Sequence, residues 1–167
     1  MLTIAVYLFP MLMLFAACHD LFTMRISNRI SIVLAIGFLP LALLGGMAPS
    51  LIATHYACGA AVLAITFTLF ALGKIGGGDA KLAASSVIWI GWEPLVDYLI
   101  VTSLLGGALA VFLLLARQVA LPLILLKQDW IARLHEPRGG IPYGVALGLA
   151  GVLVYPDTAI WRAAFGA

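Results

Sequence analysis

The sequence has little charge. Acidic and basic residues together make up 10% of its 167 residues, whereas hydrophobic residues make up 64%. A soluble domain carries about a quarter of charged residues, so this composition excludes an ordinary soluble protein and indicates a membrane protein. The formal net charge of +2 is small and the basic residues are dispersed, which argues against a nucleic-acid-binding surface.

Cysteine is also scarce. Cys18 and Cys58 both lie in apolar runs and form no Cys-x-x-Cys pair, so neither a zinc cluster nor a disulfide framework is indicated. We expect both side chains to fill the core, and we expect no metal and no cofactor. Internal repeats and a second domain are missing too, which predicts a single domain over residues 1–167.

Long hydrophobic runs, by contrast, dominate the chain. They predict helices at residues 2–20, 30–46, 51–72, 80–91, 95–117 and 141–156, with a further tail to Ala167. The expected fold is all-α, a polytopic membrane bundle of about six transmembrane helices.

The one long polar segment is interrupted by residues 119–126, which are too short to span a membrane and contain Pro122. They are either the end of the fifth helix or an interfacial piece. The following "KQDWIARLHEPRGG" fits an amphipathic surface helix or an ordinary solvated loop.

The basic residues predict an orientation. With the N-terminus outside, all of them except Arg162 fall on one side: Arg25, Arg29, Lys74, Lys81, Arg117, Lys127, Arg133 and Arg138. The positive-inside rule makes that side cytoplasmic and leaves both termini outside. Glu93 and Asp97 are expected on the outer side. The four tryptophans, at 89, 92, 130 and 161, lie near predicted span ends, which is typical of an aromatic belt.

Two aspartates stand at span ends on the cytoplasmic side. Asp20 ends the first run in "CHDLFTMRISNRI", and Asp79 opens the fourth in "GGGDAKL". Carboxylates at a membrane edge are costly and are functional candidates by default. Two that converge on one cavity can activate water, one as base and the other as acid. The simpler alternatives are a helix cap for Asp79 and an ion pair with Arg25 for Asp20.

The helix ends suggest how the two roles divide. Asp79 lies near a helix N-terminus, which favours the anion, and Asp20 lies near a helix C-terminus, which disfavours it. This predicts Asp79 as the general base and Asp20 as the protonated partner. The neighbouring His19 points about 100° away from Asp20, so it either modulates the site or, on the simpler interpretation that we favour, is a plain interfacial histidine.

The glycine run ahead of Asp79 has a possible geometric reason. A helix from Asp79 to Gly91 is about 20 Å long against a hydrocarbon core of about 30 Å, so Asp79 would be recessed by about 10 Å. Glycines would let the backbone there take unusual dihedral angles and let another backbone approach closely.

These motifs together resemble a known family. "GGGDAKL" is similar to the Gly-x-Gly-Asp-x-Lys signature of type IV prepilin peptidases, which are GxGD-type aspartyl proteases. "DLFTMRISNRI" resembles the family's first motif, with Ser27 in place of the proline of an Ile-Pro-Asn triplet, which predicts a less rigid turn. "IPYGVALGLAG" is similar to the start of the last helix in the short branch that serves tight-adherence (Tad/Flp) pili.

The resemblance implies an endopeptidase that removes the short basic leader from prepilins or pseudopilins. Cleavage would take place at the cytoplasmic face of the bacterial inner membrane, within the lipid bilayer and without nucleic acid. Asp20 and Asp79 would carry catalysis, and Gly76 and Gly78 would shape the active-site loop. The supporting residues would be Lys81, Asn28, Pro142 and Tyr143.

Departures from the longer family members narrow this expectation. The first two spans are joined by a short loop without a cysteine-rich domain, which implies a peptidase that lacks its own methyltransferase activity. The competing hypotheses are a small proton-coupled transporter, because paired carboxylates also build proton relays, and a non-catalytic assembly subunit. The sequence leaves the oligomeric state open.

Overall fold

A computed structural model describes residues 2–137 and 139–165. The regular structure of these residues is helical throughout, which confirms the predicted all-α class. In chain order the helices are α1 Leu2–Ala5, α2 Leu8–Thr23, α3 Asn28–Leu44, α4 Pro49–Ala71, α5 Gly77–Ile90, α6 Leu95–Ala116, α7 Leu123–Leu126, α8 Asp129–His135, α9 Tyr143–Val154 and α10 Ala159–Phe165, with a 3-10 turn at Tyr155–Asp157.

The longest helices have the length and composition of membrane spans. Two helices, α4 and α6, are each long and apolar enough to cross a membrane. A third candidate is the bent pair of α9 with its 3-10 turn and α10, which meet at 52°. Since α2 and α3 are also apolar, the chain is an integral membrane protein built as a small polytopic bundle.

The first predicted helix is divided in two. The sequence predicted one helix over residues 2–20, but the chain turns at Val6 and Tyr7 between α1 and α2. Pro10 explains the break because it has no N–H to donate to the carbonyl four residues earlier, that of Val6. The Val6 carbonyl instead accepts a hydrogen bond of 3.0 Å from the Tyr155 hydroxyl.

The core lies around the C-terminal half of α5. Trp89 is fully buried, and its indole N–H donates to the Leu34 carbonyl over 2.8 Å. The rings of Phe9 and Phe38 pack against it. The prediction that Trp89 belongs to an aromatic belt is therefore wrong, whereas Trp92 is 52% exposed as a belt residue would be.

The two cysteines also differ in burial. Cys58 is buried, as predicted, but Cys18 is exposed, so the prediction that Cys18 fills the core is wrong. The buried face of α2 instead carries Phe9, Met13, Ala17 and Asp20, and position 18 turns away from it.

A glycine, Gly91, follows the C-terminal end of α5. Gly91 has φ +79°, and a Cβ there would lie 2.6 Å from Cε1 of the buried His55 ring. The same ring bonds through Nδ1 to the Ile88 carbonyl at 2.7 Å. Arg162 forms an ion pair of 3.0 Å with Glu93, so these two residues lie at the same end of the bundle, as expected.

The polar segment between α6 and α9 is folded onto the opposite end of the bundle. Because α6 ends at Ala116 and α7 is separate from it, residues 119–126 do not extend the fifth predicted helix. The predicted amphipathic helix exists as α8. Arg117 donates to the carbonyls of Leu134 and Gly140, and Arg133 donates to that of Phe22. The basic residue Arg138 lies outside the described ranges.

Candidate active site

Asp79 lies in the first turn of α5. The residue before the helix, Gly76, has no side chain to cap it. The Asp79 carboxylate folds back over this position, because a Cβ on Gly76 would lie 2.6 Å from Asp79 Oδ2. Asp79 therefore also fits the simpler interpretation of a helix cap.

The three consecutive glycines each allow a different close contact. Gly76 makes room for the Asp79 carboxylate, and a Cβ on Gly77 would lie 3.1 Å from the ring of Phe70. On Gly78 it would lie 3.1 Å from Ile26 Cβ. None of the three has positive φ, and two of them are already helical. The expectation of unusual dihedral angles is therefore wrong here, and close approach accounts for the run.

Asp20 lies in the last turn of α2 and is only 5% exposed. Its Oδ2 accepts a hydrogen bond of 2.8 Å from the backbone N–H of Gly144, in the first turn of α9. Gly144 is required for this approach, since a Cβ on it would lie 2.8 Å from the same oxygen. The alternative ion pair with Arg25 is absent, although both residues are described.

The contact with Gly144 changes the argument about proton roles. A helix N-terminus presents N–H groups and a positive dipole end to an anion. Asp20 meets the N-terminus of α9, and Asp79 lies at the N-terminus of its own helix. Both aspartates thus lie at helix N-termini, so the helix ends do not distinguish Asp79 as the base from Asp20 as the acid.

Ile26 connects the surroundings of the two aspartates. Its side chain lies against Gly78, next to Asp79, and a Cβ on Gly144 would lie 2.9 Å from Ile26 Cδ1. The structure therefore brings Asp20 and Asp79 to one end of the bundle, which we call the aspartate end. Ile26 was not predicted as a site residue, although it lies in the motif around Asn28.

The turn after α2 is held by His19. Met24 has φ +54°, a left-handed conformation that is uncommon for a side chain of this size. His19 Nδ1 lies 2.6 Å from the Arg25 carbonyl, and the Thr23 hydroxyl donates to the His19 carbonyl over 2.7 Å. Because a carbonyl can only accept, Nδ1 carries the proton. His19 thus fixes the turn that delivers Ile26, a role that the sequence interpretation missed.

The motif around Asn28 starts a helix and faces Lys81. Ser27 is the N-cap of α3 and its hydroxyl accepts from the backbone N–H of Arg29 over 3.3 Å, so the serine in place of proline has a capping role. Asn28 Oδ1 accepts from Lys81 Nζ over 3.0 Å. In a helix, positions two apart point about 200° apart, so Lys81 and Asp79 lie on different faces of α5.

The two residues predicted in the late motif, Pro142 and Tyr143, contact different parts of the structure. Pro142 is buried and precedes α9, where it introduces the turn containing Gly144. Tyr143 is 42% exposed, and its ring packs on α6, where a Cβ on Gly106 would lie 2.8 Å from Tyr143 Cε1. Pro142 is thus close to the aspartate end through Gly144, whereas Tyr143 contacts the neighbouring helix.

Metal-binding groups are not assembled in the part of the chain that the structure describes. No three His, Cys, Asp or Glu side chains there lie together in an arrangement that could hold an ion.

The fold and the site define a class of protein, namely a helical membrane bundle with two aspartates at one end. A model of the type IV leader peptidase family matches residues 7–111, a range that contains Asp20, Asn28 and Asp79 and ends before Pro142. The chain belongs to this family, and it is therefore a peptidase by descent. No curated protein and no solved structure matches the chain significantly.

Proposed function

We propose that the chain is a membrane-embedded aspartyl endopeptidase that removes the short basic leader from prepilins or pseudopilins. The observation that carries this proposal is the position of Asp20 and Asp79 at one end of the bundle, where Ile26 packs both on Gly78, beside Asp79, and on Gly144, which donates to Asp20. Membership of the leader peptidase family supports the substrate class. The short loop between α2 and α3 and the "IPYG" start of α9 support the tight-adherence branch.

The chemistry follows from two carboxyl groups that cannot both ionise cheaply at short range. The ionised one takes a proton from water as the water oxygen bonds to the peptide carbonyl carbon. The protonated one gives its proton to the leaving nitrogen as the C–N bond breaks. Each carboxyl lies at a helix N-terminus, Asp20 at that of α9 and Asp79 at that of α5, and either anion is favoured there. We therefore assign the acid and base roles to the pair and not to one residue each.

The remaining residues have supporting roles in this proposal. Gly76 and Gly78 allow the close packing around Asp79, and Pro142 leads into the turn that holds Asp20. Lys81 and Asn28 join α5 to α3 beside the site, and Tyr143 packs α9 on α6. The whole chain, residues 1–167, is one peptidase domain.

The proposed orientation follows the distribution of charge. The basic residues Arg25, Arg29 and Lys74 lie on the aspartate end, and the positive-inside rule makes this end cytoplasmic. Both termini then face outward from a bacterial inner membrane. A leader carrying basic residues would meet the two carboxylates from the cytoplasm.

Co-expression with a prepilin tests the function. We expect the wild-type chain to shorten the substrate by its leader, and Asp20→Ala and Asp79→Ala to leave it at full length. Asp97→Ala is the matched control, because Asp97 is an exposed carboxylate in the first turn of α6, and it should process normally. Unchanged processing in both site variants would exclude the proposal and favour a transporter or an assembly subunit.

A further inference from the structure

A groove of about 520 Å³ lies between α3, α4 and α5, on the face of α5 that does not carry Asp79. Small residues make up much of its lining: Ala35, Gly59, Ala60 and Ala84. Ile32 and Leu63, which also line it, are 54% and 43% exposed. The groove is thus a concave apolar surface that opens sideways, towards lipid in a membrane.

The small residues indicate the kind of molecule that fits. Helices in lipid associate through small residues, which let two backbones approach closely, because lipid removes the hydrophobic driving force between them. Ala60 on α4 and Ala84 on α5 both line the groove. A transmembrane helix gains contact area from such a surface, whereas a fluid acyl chain gains nothing special from it.

A buried hydroxyl points to the same occupant. Ser31 lines the groove and is 9% exposed, and its Oγ has no hydrogen-bond partner. An unpaired buried hydroxyl destabilises the folded chain. A helix lying in the groove carries carbonyl and side-chain oxygens that could accept from Ser31, whereas the methylene chain of a lipid tail carries none.

Lys81 and Asn28 mark one end of the groove. Lys81 is exposed and has three N–H donors, of which one is used by Asn28. Its positive charge repels a basic leader and attracts acidic or carbonyl oxygens. The charge pattern therefore separates a leader, drawn to the carboxylates of Asp20 and Asp79, from an apolar helix that starts beside Lys81.

We propose that this groove binds the first turns of the apolar helix that follows the scissile bond of the substrate. The inference rests on the proposed peptidase function and adds where the substrate helix lies. From Lys81 the substrate chain would cross the first turn of α5 to reach Asp79. Gly76 and Gly77 add no side chains of their own at this point, where the Asp79 carboxylate lies over Gly76 and the Phe70 ring beside Gly77. A helix diameter is about 10 Å, so about three extended residues cover the distance.

Photo-crosslinking locates the substrate helix directly. A photoreactive residue is placed at Ala60, in the groove, or at Ala108, an exposed alanine on α6, in the inactive Asp79→Asn chain in membranes with a prepilin. We expect an adduct with the prepilin from position 60 and none from position 108. A lipid adduct alone from position 60, or equal prepilin adducts from both positions, would overturn the proposal.

Filling the groove tests its role in turnover. Ala60→Trp should raise the KM for prepilin about tenfold with little change in kcat, as expected for a lost substrate contact, and Ala108→Trp should change neither. Equal behaviour of the two variants would reject the groove while leaving the peptidase function intact. If the wild-type chain itself failed to cleave, the proposed function would be rejected instead.

Discussion

The backbone N–H of Gly144 donates to Asp20 Oδ2 over 2.8 Å, across 124 residues of sequence. This contact joins the last turn of α2 to the first turn of α9. There is no space for a side chain at position 144, since a Cβ on Gly144 would also lie 2.9 Å from both Asp20 Cβ and Ile26 Cδ1. The position of one proposed catalytic carboxylate therefore depends on a glycine near the other end of the chain.

Gly144→Ala is expected to displace Asp20. Small shifts of a reacting group can cost about 10²-fold in rate, so we expect prepilin cleavage to fall by about that factor. The loss of stability should be smaller, about 1–3 kcal/mol, as for other overpacked sites. The matched control is Gly107→Ala on α6, where a Cβ meets nothing within 4 Å. Normal cleavage by Gly144→Ala would contradict the role assigned to this contact.

Gly78→Ala should act through Ile26. The added Cβ would lie 3.1 Å from Ile26 Cβ, so one of the two segments must shift and cleavage should fall. Shortening the partner with Ile26→Ala should make room and restore part of the activity. Initial cleavage rates of the two single variants and the double variant form a double-mutant cycle. Purely multiplicative losses would show that the two residues are not coupled.

His19→Asn and His19→Gln separate the two ring nitrogens. The Asn side-chain nitrogen takes nearly the place of His Nδ1, which donates to the Arg25 carbonyl, whereas that of Gln lies one bond further out. We therefore expect Asn to keep most of the cleavage rate and Gln or Ala to lose about tenfold or more, through misplacement of the turn.

The kinetic readout distinguishes this role from general destabilisation. Melting temperatures of all three His19 variants should be measured beside their rates. The account predicts that Asn and Gln are similarly stable and differ in kcat. If the rates of the three variants simply followed their stabilities, His19 would have no positioning role.

Tyr155→Phe should affect stability alone. The lost hydroxyl leaves the Val6 carbonyl, which has no helical partner because of Pro10, without its donor. An unsatisfied buried group costs about 1–3 kcal/mol, so the melting temperature should drop while the cleavage rate of the folded protein stays the same. A selective loss of cleavage at unchanged stability would show that this contact serves the distant aspartate end.

The sequence predicted the helices well because apolar runs and the turns between them are local signals. The break between α1 and α2 was missed, although Pro10 is a local signal in the sequence. The donor that satisfies the Val6 carbonyl left free by Pro10 is Tyr155, 149 residues from Val6, and the sequence gives no sign of it. Trp89 was misplaced for a related reason. An aromatic residue near a span end fits a membrane interface, and only the packing of Phe9 and Phe38 around it places it in the core.

The sequence predicted the two carboxylates of the site but not the residues that surround them. Asp20 and Asp79 could be found because charge is conspicuous in an apolar chain. Ile26 is an ordinary apolar residue whose importance lies in touching two distant glycines, and no periodicity marks it. Two properties were predicted for the glycine run, dihedral freedom and close approach, and the structure uses only close approach. The sequence could not separate them because both give the same signal.

The central claim is that Asp20 and Asp79 act as one catalytic unit. It is tested most directly by single-turnover cleavage of a purified prepilin by Asp20→Asn, Asp79→Asn and the double variant in lipid vesicles. The account predicts that each single change lowers the rate by about 10³-fold or more and that the double variant is no slower than the slower single one, as for groups that work together. Either single variant cleaving within about tenfold of wild type would contradict it.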